Sequence, residues 1–356
     1  FSSRAPIGYM TINKCPVSTN QGFQSLVPNE NYSIEYLYYL FKSKIDYIKS
    51  YATGSTFEEI SGSEVKNLEF LIPNFDEQKN IAGILSLFDE KIDLNKKMNQ
   101  NLEDIGMTIF KSWFIDFDPV IINIKNELTD LPKEIIELFP NSFEDSKLGK
   151  IPKGWKIKKL SDFSIENNKK IKPNQYPEEF FETYDIPSFD NISYPSIKKG
   201  TSLQSQKSLI SANMILISKL NPHTPRIWNP LEESNYKKVS STEFISLIPK
   251  KDFKFFLLCH LKSYKSIRTL SSMVVGTSKS HQRIRKKDIF ELETLCFPDT
   301  IAILFEDNLK QIYKKIEFNL NQIKILTELR DALLPKLISG KLRISDAEKI
   351  ISKESV

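Results

Sequence analysis

The stretch IPNFDEQKNIAGILSLFDEKIDLNKK, residues 72–97, has the pattern of a long amphipathic helix. Its apolar residues recur at steps of three and four with charged residues between them, and this spacing places the apolar residues on one helix face. Asn74 followed by Glu77 predicts a capping box at the start of the helix. Such a helix has to bury its apolar face, so it needs a partner elsewhere in the chain.

The chain repeats the plan to which this helix belongs. Each copy contains an aromatic helical stretch, a polar segment that begins with glycine, a short apolar segment that ends in proline, and a long helix. In the first copy the first three segments are IEYLYYLFKSKIDYIKSY (34–51), GSTFEEIS (54–61) and VKNLEFLIP (65–73). In the second copy they are FKFFLLCHLKSYKSIRTL (253–270), GTSKSHQRIR (276–285) and DIFELETLCFP (288–298). An internal repeat of this kind determines the architecture.

The two long helices align without a gap at an offset of 224 residues, so that KIDLN at 91–95 falls on KIEFN at 315–319. Alternate steps of three and four residues trace a mostly apolar seam over about four heptads in each helix, which is typical of a coiled coil. We therefore expect the two helices to pair with each other. Pro335 and Gly340 are expected to end the second helix.

Asn95 and Asn319 occupy equivalent positions in the two seams. A polar residue in a coiled-coil seam lowers stability but fixes the register and orientation of the helices, and we predict this role for both asparagines. The sequence is also compatible with seam positions that face solvent.

The predicted fold class is α+β, with two globular α/β domains separated by two long antiparallel coiled-coil helices and a pseudo-two-fold internal repeat. Residues 148–217 have no counterpart in the first copy, and Phe1 matches the middle of the second copy. We therefore expect a fragment that lacks about seventy residues of its first domain. The predicted divisions are the C-terminal part of the first domain (1–75), the first long helix (76–117), a surface linker (118–147), the second domain (148–298), the second long helix (299–340) and a tail (341–356).

The composition, with 40% hydrophobic residues among 356, is sufficient for the cores of two domains. No apolar run approaches the roughly 18 residues that span a bilayer, and no signal segment begins the chain, so we expect a soluble, cytoplasmic protein with no membrane partner. Cys15, Cys259 and Cys296 are too far apart in sequence to suggest a zinc site. We expect all three to be reduced and buried.

The net charge of +5 is small, but the charges are sorted along the chain. Residues 253–287 contain nine basic residues and no Asp or Glu, and residues 191–231 are also free of acids. Residues 76–104 instead hold seven acids against four lysines. The abundance of lysine, 43 against seven arginines, discounts any single lysine but does not explain two acid-free strips.

Motifs for nucleotide or hydrolytic chemistry are missing from the sequence. No two of the eleven glycines form a Gly-x-Gly, and no P-loop is present. The stretch Asn221-Pro222-His223-Thr224 lacks the second proline and the aromatic residue of an amino-methyltransferase motif. The cluster at 76–79, Asp-Glu-Gln-Lys, fits the first turn of a helix better than a nuclease site. We therefore predict no catalytic residues and no metal site.

Recognition of DNA is the chemistry that remains. Arginine reads guanine edges and contacts phosphates, and three of the seven arginines fall between residues 268 and 285. The segment GTSKSHQRIRKK (276–287) adds further donors after a flexible glycine; the alternative interpretation is a solvated turn. The predicted DNA-binding residues are Lys219, His223, Arg226, Arg268, Ser278, Lys279, His281, Gln282, Arg283, Arg285 and Lys286.

Four segments, in this order, resemble the specificity subunit of type I restriction-modification systems. They are the opening stretch at 72–97, IFKSWFIDFDP (109–119), IPKGWKIKKLSDF (151–163) and LRDALLPKLISGKLRI (329–344). The resemblance covers nearly the whole chain. Two features depart from the family pattern: the incomplete first domain and the irregular start of the second long helix, FPDTIAILFEDN.

The resemblance implies two target-recognition domains that each read one part of a split double-stranded DNA site, with the long helices as a spacer. It implies no catalytic centre and no cofactor in this chain. Two methyltransferase subunits and the restriction-translocase subunits are the implied partners, and S-adenosylmethionine, ATP and Mg²⁺ are expected only on those subunits. Two other classes stay open: a coiled-coil scaffold without DNA affinity, and part of a fused restriction-modification enzyme.

Overall fold

The structure, a computed structural model, describes residues 1–4, 6–54, 58–250, 252–274 and 282–354, with side chains as far as residue 349. The chain forms two units. Unit 1 comprises Phe1–Lys96 and Asn321–Val356, and unit 2 comprises Lys97–Leu320. Helices and strands are numbered along the chain.

Unit 1 is mainly helical. Its elements are α1 (Ile34–Ser43), α2 (Ile45–Lys49), α3 (Gly62–Lys66), the first part of α4 (Phe75–Phe114), the last part of α11 (Asp299–Ile338) and α12 (Ile344–Glu354). Its core joins α1, α4 and α11 through the fully or nearly fully buried side chains of Tyr36, Leu85 and Leu333. Burying a leucine side chain contributes about 1.5–3 kcal/mol, so Leu85 and Leu333 stabilise the contact between α4 and α11.

The start of α4 is fixed by side-chain caps. Asn74 Oδ1 accepts the Glu77 backbone N–H at 2.9 Å, which confirms the Asn74 half of the predicted capping box. Gln78, which is buried, ties α4 to α1: its Oε1 accepts the Ser33 N–H at 3.0 Å, and its Nε2 donates to the Pro73 carbonyl at 3.0 Å. The cluster at 76–79 therefore has a structural use.

The two long helices pair antiparallel in each unit. In unit 1 Asp89 of α4 forms an ion pair with Arg330 of α11, and Asn95 meets Gln322. In unit 2 Asn99 meets Asn319, and Gly106 lies against Leu309. Later residues of α4 thus contact earlier residues of α11. The two helices therefore run antiparallel, as the sequence predicted.

The end of α11 differs from the prediction. Pro335 does not end the helix, which continues to Ile338. Proline removes one backbone donor, but neighbouring turns and the packing of Leu333, Leu334 and Leu337 hold the last turn in place. The helix ends before Gly340, which adopts φ +69° and whose N–H donates to the Leu337 carbonyl at 3.1 Å. The glycine alone was the correct stop signal.

Unit 2 mixes helices and strands. Besides its parts of α4 and α11, its helices are α5 (Asp118–Lys125), α6 (Lys133–Ile136), α7 (Ile186–Ile192), α8 (Lys254–Lys262), α9 (Tyr264–Ser272) and α10 (Lys286–Phe290). Its strands are β1 (Phe143–Ser146), β2 (Gly149–Pro152), β3 (Lys156–Lys159), β4 (Ser164–Glu166), β5 (Lys170–Ile171), β6 (Phe180–Tyr184), β7 (Ser196–Lys199), β8 (Lys207–Ile210), β9 (Ile215–Ser218), β10 (Ile227–Trp228), β11 (Lys237–Ser240), β12 (Phe244–Pro249) and β13 (Glu293–Cys296).

These strands form two larger sheets and two hairpin-sized ones. A four-stranded antiparallel sheet has the order β10-β9-β12-β4, with Phe244 opposite Ser218. A five-stranded sheet has the order β5-β8-β11-β6-β7, in which β11 and β6 run parallel. The pairs β1-β2 and β3-β13 are separate. The predicted α+β class with two long antiparallel helices is confirmed.

The core of unit 2 includes the aromatic segment of the second repeat copy. Phe114 at the end of α4 lies 4.6 Å from Phe297, 4.9 Å from Phe256 and 5.0 Å from Phe305, measured between ring centroids. Helix α8 is apolar on nearly all sides because it is buried between β-structure and the long helices. Its N-terminal Phe256 N–H donates to the Glu306 carboxylate of α11 at 2.8 Å.

Two smaller expectations need correction. The segment 118–147, expected as a surface linker, holds α5, α6 and β1, and it buries Val120 and Phe139 in the core of unit 2. Of the three cysteines, Cys259 is buried, Cys296 is half-buried and Cys15 is exposed. Within the described ranges, no helix is both long enough and apolar enough to cross a membrane.

Candidate nucleic-acid interface

Three chain segments of unit 2 meet at the candidate interface. The pairing of β9 with β12 continues beyond both strands, because the Lys219 N–H donates to the Glu243 carbonyl at 2.9 Å. On the other side, the Ile284 N–H donates to the Lys219 carbonyl at 3.0 Å, and the Asn221 N–H donates to the Gln282 carbonyl at 2.9 Å. Segment 219–221 therefore lies between residue 243 and segment 282–284.

The backbone hydrogen bonds among these three segments form a ladder. This ladder brings together basic residues from the two acid-free strips. Leu220 and Arg283 form an antiparallel β-bridge. Lys219 and Arg283 therefore lie on adjacent segments, although 64 positions separate them in sequence. The Arg283 side chain is 55% exposed, and its Nη2 donates to Glu243 Oε1 at 3.3 Å. The contact joins the two outer segments across the middle one.

Two further lysines extend the positive surface. Lys286, at the start of α10, forms an ion pair with Glu166 of β4. Lys170 Nζ donates to Ser208 Oγ at 2.7 Å. Partial desolvation, and then the positive charges of Lys286 and Lys219, lower the pKa of Lys170, whereas Glu166 raises it. Lys170 is an interface candidate that sequence reasoning missed, since it lies outside both acid-free strips.

Arg226 is held inside the fold more than the sequence predicted. Its Nε and Nη2 donate to the two Asp190 carboxylate oxygens at 2.6 and 2.8 Å, and its side chain is 14% exposed. The hydrogen bonds to Asp190 raise the pKa of Arg226. Such a two-point contact fixes the guanidinium, so Arg226 links α7 to the segment that precedes β10.

Arg285 also has a carboxylate partner. It occupies the N-cap of α10, where its Nε and Nη2 donate to the Asp288 carboxylate at 3.0 and 3.1 Å. Asp288 in return accepts the Arg285 backbone N–H at 3.2 Å. The side-chain hydrogen bonds raise the pKa of Arg285 and lower the pKa of Asp288. The arginine side chain is 68% exposed, so its outer edge stays open to solvent.

The remaining predicted residues are distributed around this ladder. His223 is exposed in the turn after Asn221, which adopts φ +49°, and Gln282 is half-buried. Arg268 is exposed on α9 and forms no ion pair with a carboxylate in the part of the chain that the structure describes. Ser278, Lys279 and His281 lie outside the described residues.

Two residues with catalytic potential, His260 and Cys259, lie in the interior of unit 2. His260 is stacked on Phe256, and burial, with a contribution from Lys265, lowers its pKa to about 4, so the imidazole is neutral. Burial raises the pKa of the Cys259 thiol to about 12. Across the ranges with described side chains, no group of His, Cys, Asp and Glu is arranged to hold a metal ion.

Comparisons with known proteins identify the family. The family described as "Type I restriction modification DNA specificity domain" matches residues 1–104. The chain is 33% identical to the type I restriction enzyme MjaIX specificity subunit of Methanocaldococcus jannaschii, over 97% of this chain and 78% of that protein. The chain belongs to the family of type I restriction enzyme specificity subunits. The prediction of a specificity subunit is confirmed.

Further members resemble this specificity subunit less strongly. The HindI specificity subunit of Haemophilus influenzae is 25% identical, over 90% of this chain and 80% of that protein. Among solved structures, the S subunit of a type I restriction-modification system from M. genitalium has a TM-score of 0.46 and 18% identity, covering 86% of this chain and 73% of that one.

The two predicted register residues of this specificity subunit are buried. Asn95 Nδ2 donates to Gln322 Oε1 at 3.2 Å in unit 1. In unit 2 Asn319 Nδ2 donates to Asn99 Oδ1 at 2.8 Å, and Asn319 Oδ1 has no partner among the described residues. The two asparagines are equivalent in sequence, but only Asn319 faces another asparagine.

Proposed function

We propose that unit 2 of this specificity subunit reads one part of a split DNA target. The observation that carries the proposal is the ladder of segment 219–221 with segment 282–284, because it joins the two acid-free strips into one basic surface. Backbone hydrogen bonds hold both segments, so the side chains project from a rigid support. A rigid, basic surface of this type attracts phosphates and orients side chains toward base edges.

Different residues have different proposed roles. Lys219, Lys286 and Lys170 are point charges and suit phosphate contacts. Arg283 and Arg268 are exposed and have free N–H groups, which suits them to bidentate contact with guanine. Two guanidinium nitrogens of Arg226 donate hydrogen bonds to Asp190. We therefore assign Arg226 a structural role in holding the conformation of its loop.

The proposed partners include two methyltransferase subunits. Leu94 and Phe318 occupy equivalent positions in the repeat, and they are 49% and 51% exposed on the outer faces of α4 and α11. Equivalent exposed positions in the two copies of a repeat suit two copies of one partner. S-adenosylmethionine, ATP and Mg²⁺ then belong to the methyltransferase and restriction subunits, and assembly takes place with chromosomal DNA in the cytoplasm.

The test is purification of the chain with the neighbouring methyltransferase subunit, followed by DNA-binding titrations at several salt concentrations. Each neutralised phosphate contributes about −0.9 to the slope of log K against log salt. Replacement of Lys219 or Lys286 by Ala should make the slope shallower by about one unit each. Lys133→Ala is the matched control, since Lys133 is an exposed cation of α6 paired with Glu137.

Mapping of methylated adenines in cells that express the complex gives the second readout. We expect methylation confined to one sequence pattern, and Arg283→Ala should relax that pattern at one base pair. Binding that does not respond to salt, or a complex without any sequence preference, would contradict the proposal. A complex that binds no DNA would show that the protein is a coiled-coil scaffold.

A further inference from the structure

Glu243 is a carboxylate at the centre of a basic surface. It lies in the turn between β11 and β12, and its carbonyl accepts the N–H of Lys219. Its Oε1 accepts from Arg283, whereas its Oε2 is buried and has no hydrogen-bond partner among the described residues. An unpartnered buried carboxylate oxygen destabilises a fold, and a negative charge weakens phosphate binding. The unpartnered oxygen and the negative charge of Glu243 both require an explanation.

The geometry of the ion pair indicates what Glu243 does. The Glu243 side chain is 28% exposed and that of Arg283 is 55% exposed, so the carboxylate lies deeper than the guanidinium. The Glu243 carboxylate accepts a hydrogen bond from only one guanidinium nitrogen of Arg283, Nη2. Arginine has five N–H donors, and the other four have no hydrogen bond to a described residue. The outer part of the guanidinium is thus free, while its inner part is held.

The neighbouring ion pairs differ from this one. Asp190 and Asp288 each bind two nitrogens of their arginines, and Asp288 also accepts the N-cap backbone N–H of its helix. These contacts explain both aspartates as structural. Glu166 pairs with Lys286, whose ammonium group has no bidentate fork. The contact of Glu243 with Arg283 combines a held guanidinium with free donors for a ligand.

We propose that Glu243 is a positioning residue that holds Arg283 in the orientation that reads a guanine edge and keeps it from binding phosphate instead. The inference rests on the proposed function of unit 2. Arg283 spans the middle segment to reach Glu243, and the backbone ladder fixes the distance between the outer segments. The carboxylate therefore lowers the number of orientations available to the guanidinium before DNA arrives.

Two effects of opposite sign follow for Glu243→Ala. Discrimination at the base pair that Arg283 reads should fall about two- to fivefold, which is the size of an exposed charge pair. Affinity for non-specific DNA should rise, and its salt slope should steepen by about 0.9, because the freed arginine neutralises one more phosphate. A residue with a merely structural role would lower specific and non-specific affinity together.

The experiment uses the complex with the methyltransferase subunit and measures binding to the target duplex, to duplexes with single base-pair changes and to an unrelated duplex. Arg283→Ala should lose about 5- to 150-fold discrimination at one base pair. Glu243→Ala should affect the same base pair, and the double variant should match Arg283→Ala. Glu243→Gln, which keeps an acceptor oxygen, should restore part of the discrimination. Glu137→Ala is the control for loss of an ion-paired glutamate in the same unit.

The outcomes separate the inference from the function on which it rests. A wild-type complex without sequence preference refutes the proposed function. A selective wild-type complex with unchanged discrimination in Glu243→Ala refutes the positioning role alone. Unchanged discrimination in Arg283→Ala refutes the positioning role together with the assignment of Arg283 as a base reader. Thermal melting monitors the folding of each variant. If Glu243→Ala unfolds, the salt slope and the selectivity of Glu243→Gln are measured in its place. Wild-type values for both quantities overturn the inference.

Discussion

The buried contact between Asn99 and Asn319 makes a sharp prediction about the paired helices of unit 2. Asn319 is completely buried and donates to Asn99 at 2.8 Å. Asn319→Leu alone removes this donor and leaves Asn99 as a buried polar group, which costs about 1–3 kcal/mol and offsets the gain from burying an apolar side chain. Replacing both residues by Leu leaves no unsatisfied group. The double variant should therefore be more stable than either single variant by about 1–3 kcal/mol.

Thermal unfolding measures this difference. For a domain of this size 1 kcal/mol shifts the melting temperature by about 2–4 °C, so the double variant should melt about 2–12 °C above either single variant. Light scattering should show additional associated species for the double variant, because an apolar layer no longer penalises other alignments. The exposed residue Asn101 gives the control, and Asn101→Leu should change stability by less than about 0.5 kcal/mol. Additive single effects, with a single monomeric species, would show that the asparagine pair does not determine register.

Other predictions concern unit 2. Arg226→Ala should lower the melting temperature and weaken binding to all DNA sequences alike, because it removes the anchor to Asp190; loss of selectivity at one base pair without loss of stability would contradict this. Burial raises the pKa of Glu306 to about 7, above its value of 4.5 in the unfolded chain. Its stabilising contribution is therefore complete below pH 4.5 and is lost as the pH rises through 7. Glu306→Gln, which keeps the acceptor for Phe256, should raise the melting temperature at pH 8 and have little effect at pH 4.5; equal effects at both pH values would contradict the titration.

Local patterns in the sequence predict features that local interactions determine. The three-and-four spacing of apolar residues predicts α4 and α11, because a helix places such residues on one face whatever their partner. Asn74 and Gly340 mark helix ends through hydrogen bonds and φ angles within a few residues. Pro335 was a misleading stop signal, since tertiary packing compensates for one missing donor near a helix end.

The pairing of charges between distant segments was decided by tertiary structure alone. In sequence, residues 191–231 and 253–287 contain no acids. In space their basic residues meet Asp190, Glu243 and Glu166, all of which lie outside those strips. The repeat likewise makes Asn95 and Asn319 equivalent, but the antiparallel pairing gives them different partners. Sequence periodicity indicates which face of a helix or strand a residue occupies. Contacts between distant segments depend instead on strand order and helix direction, which are determined only when the whole core packs together.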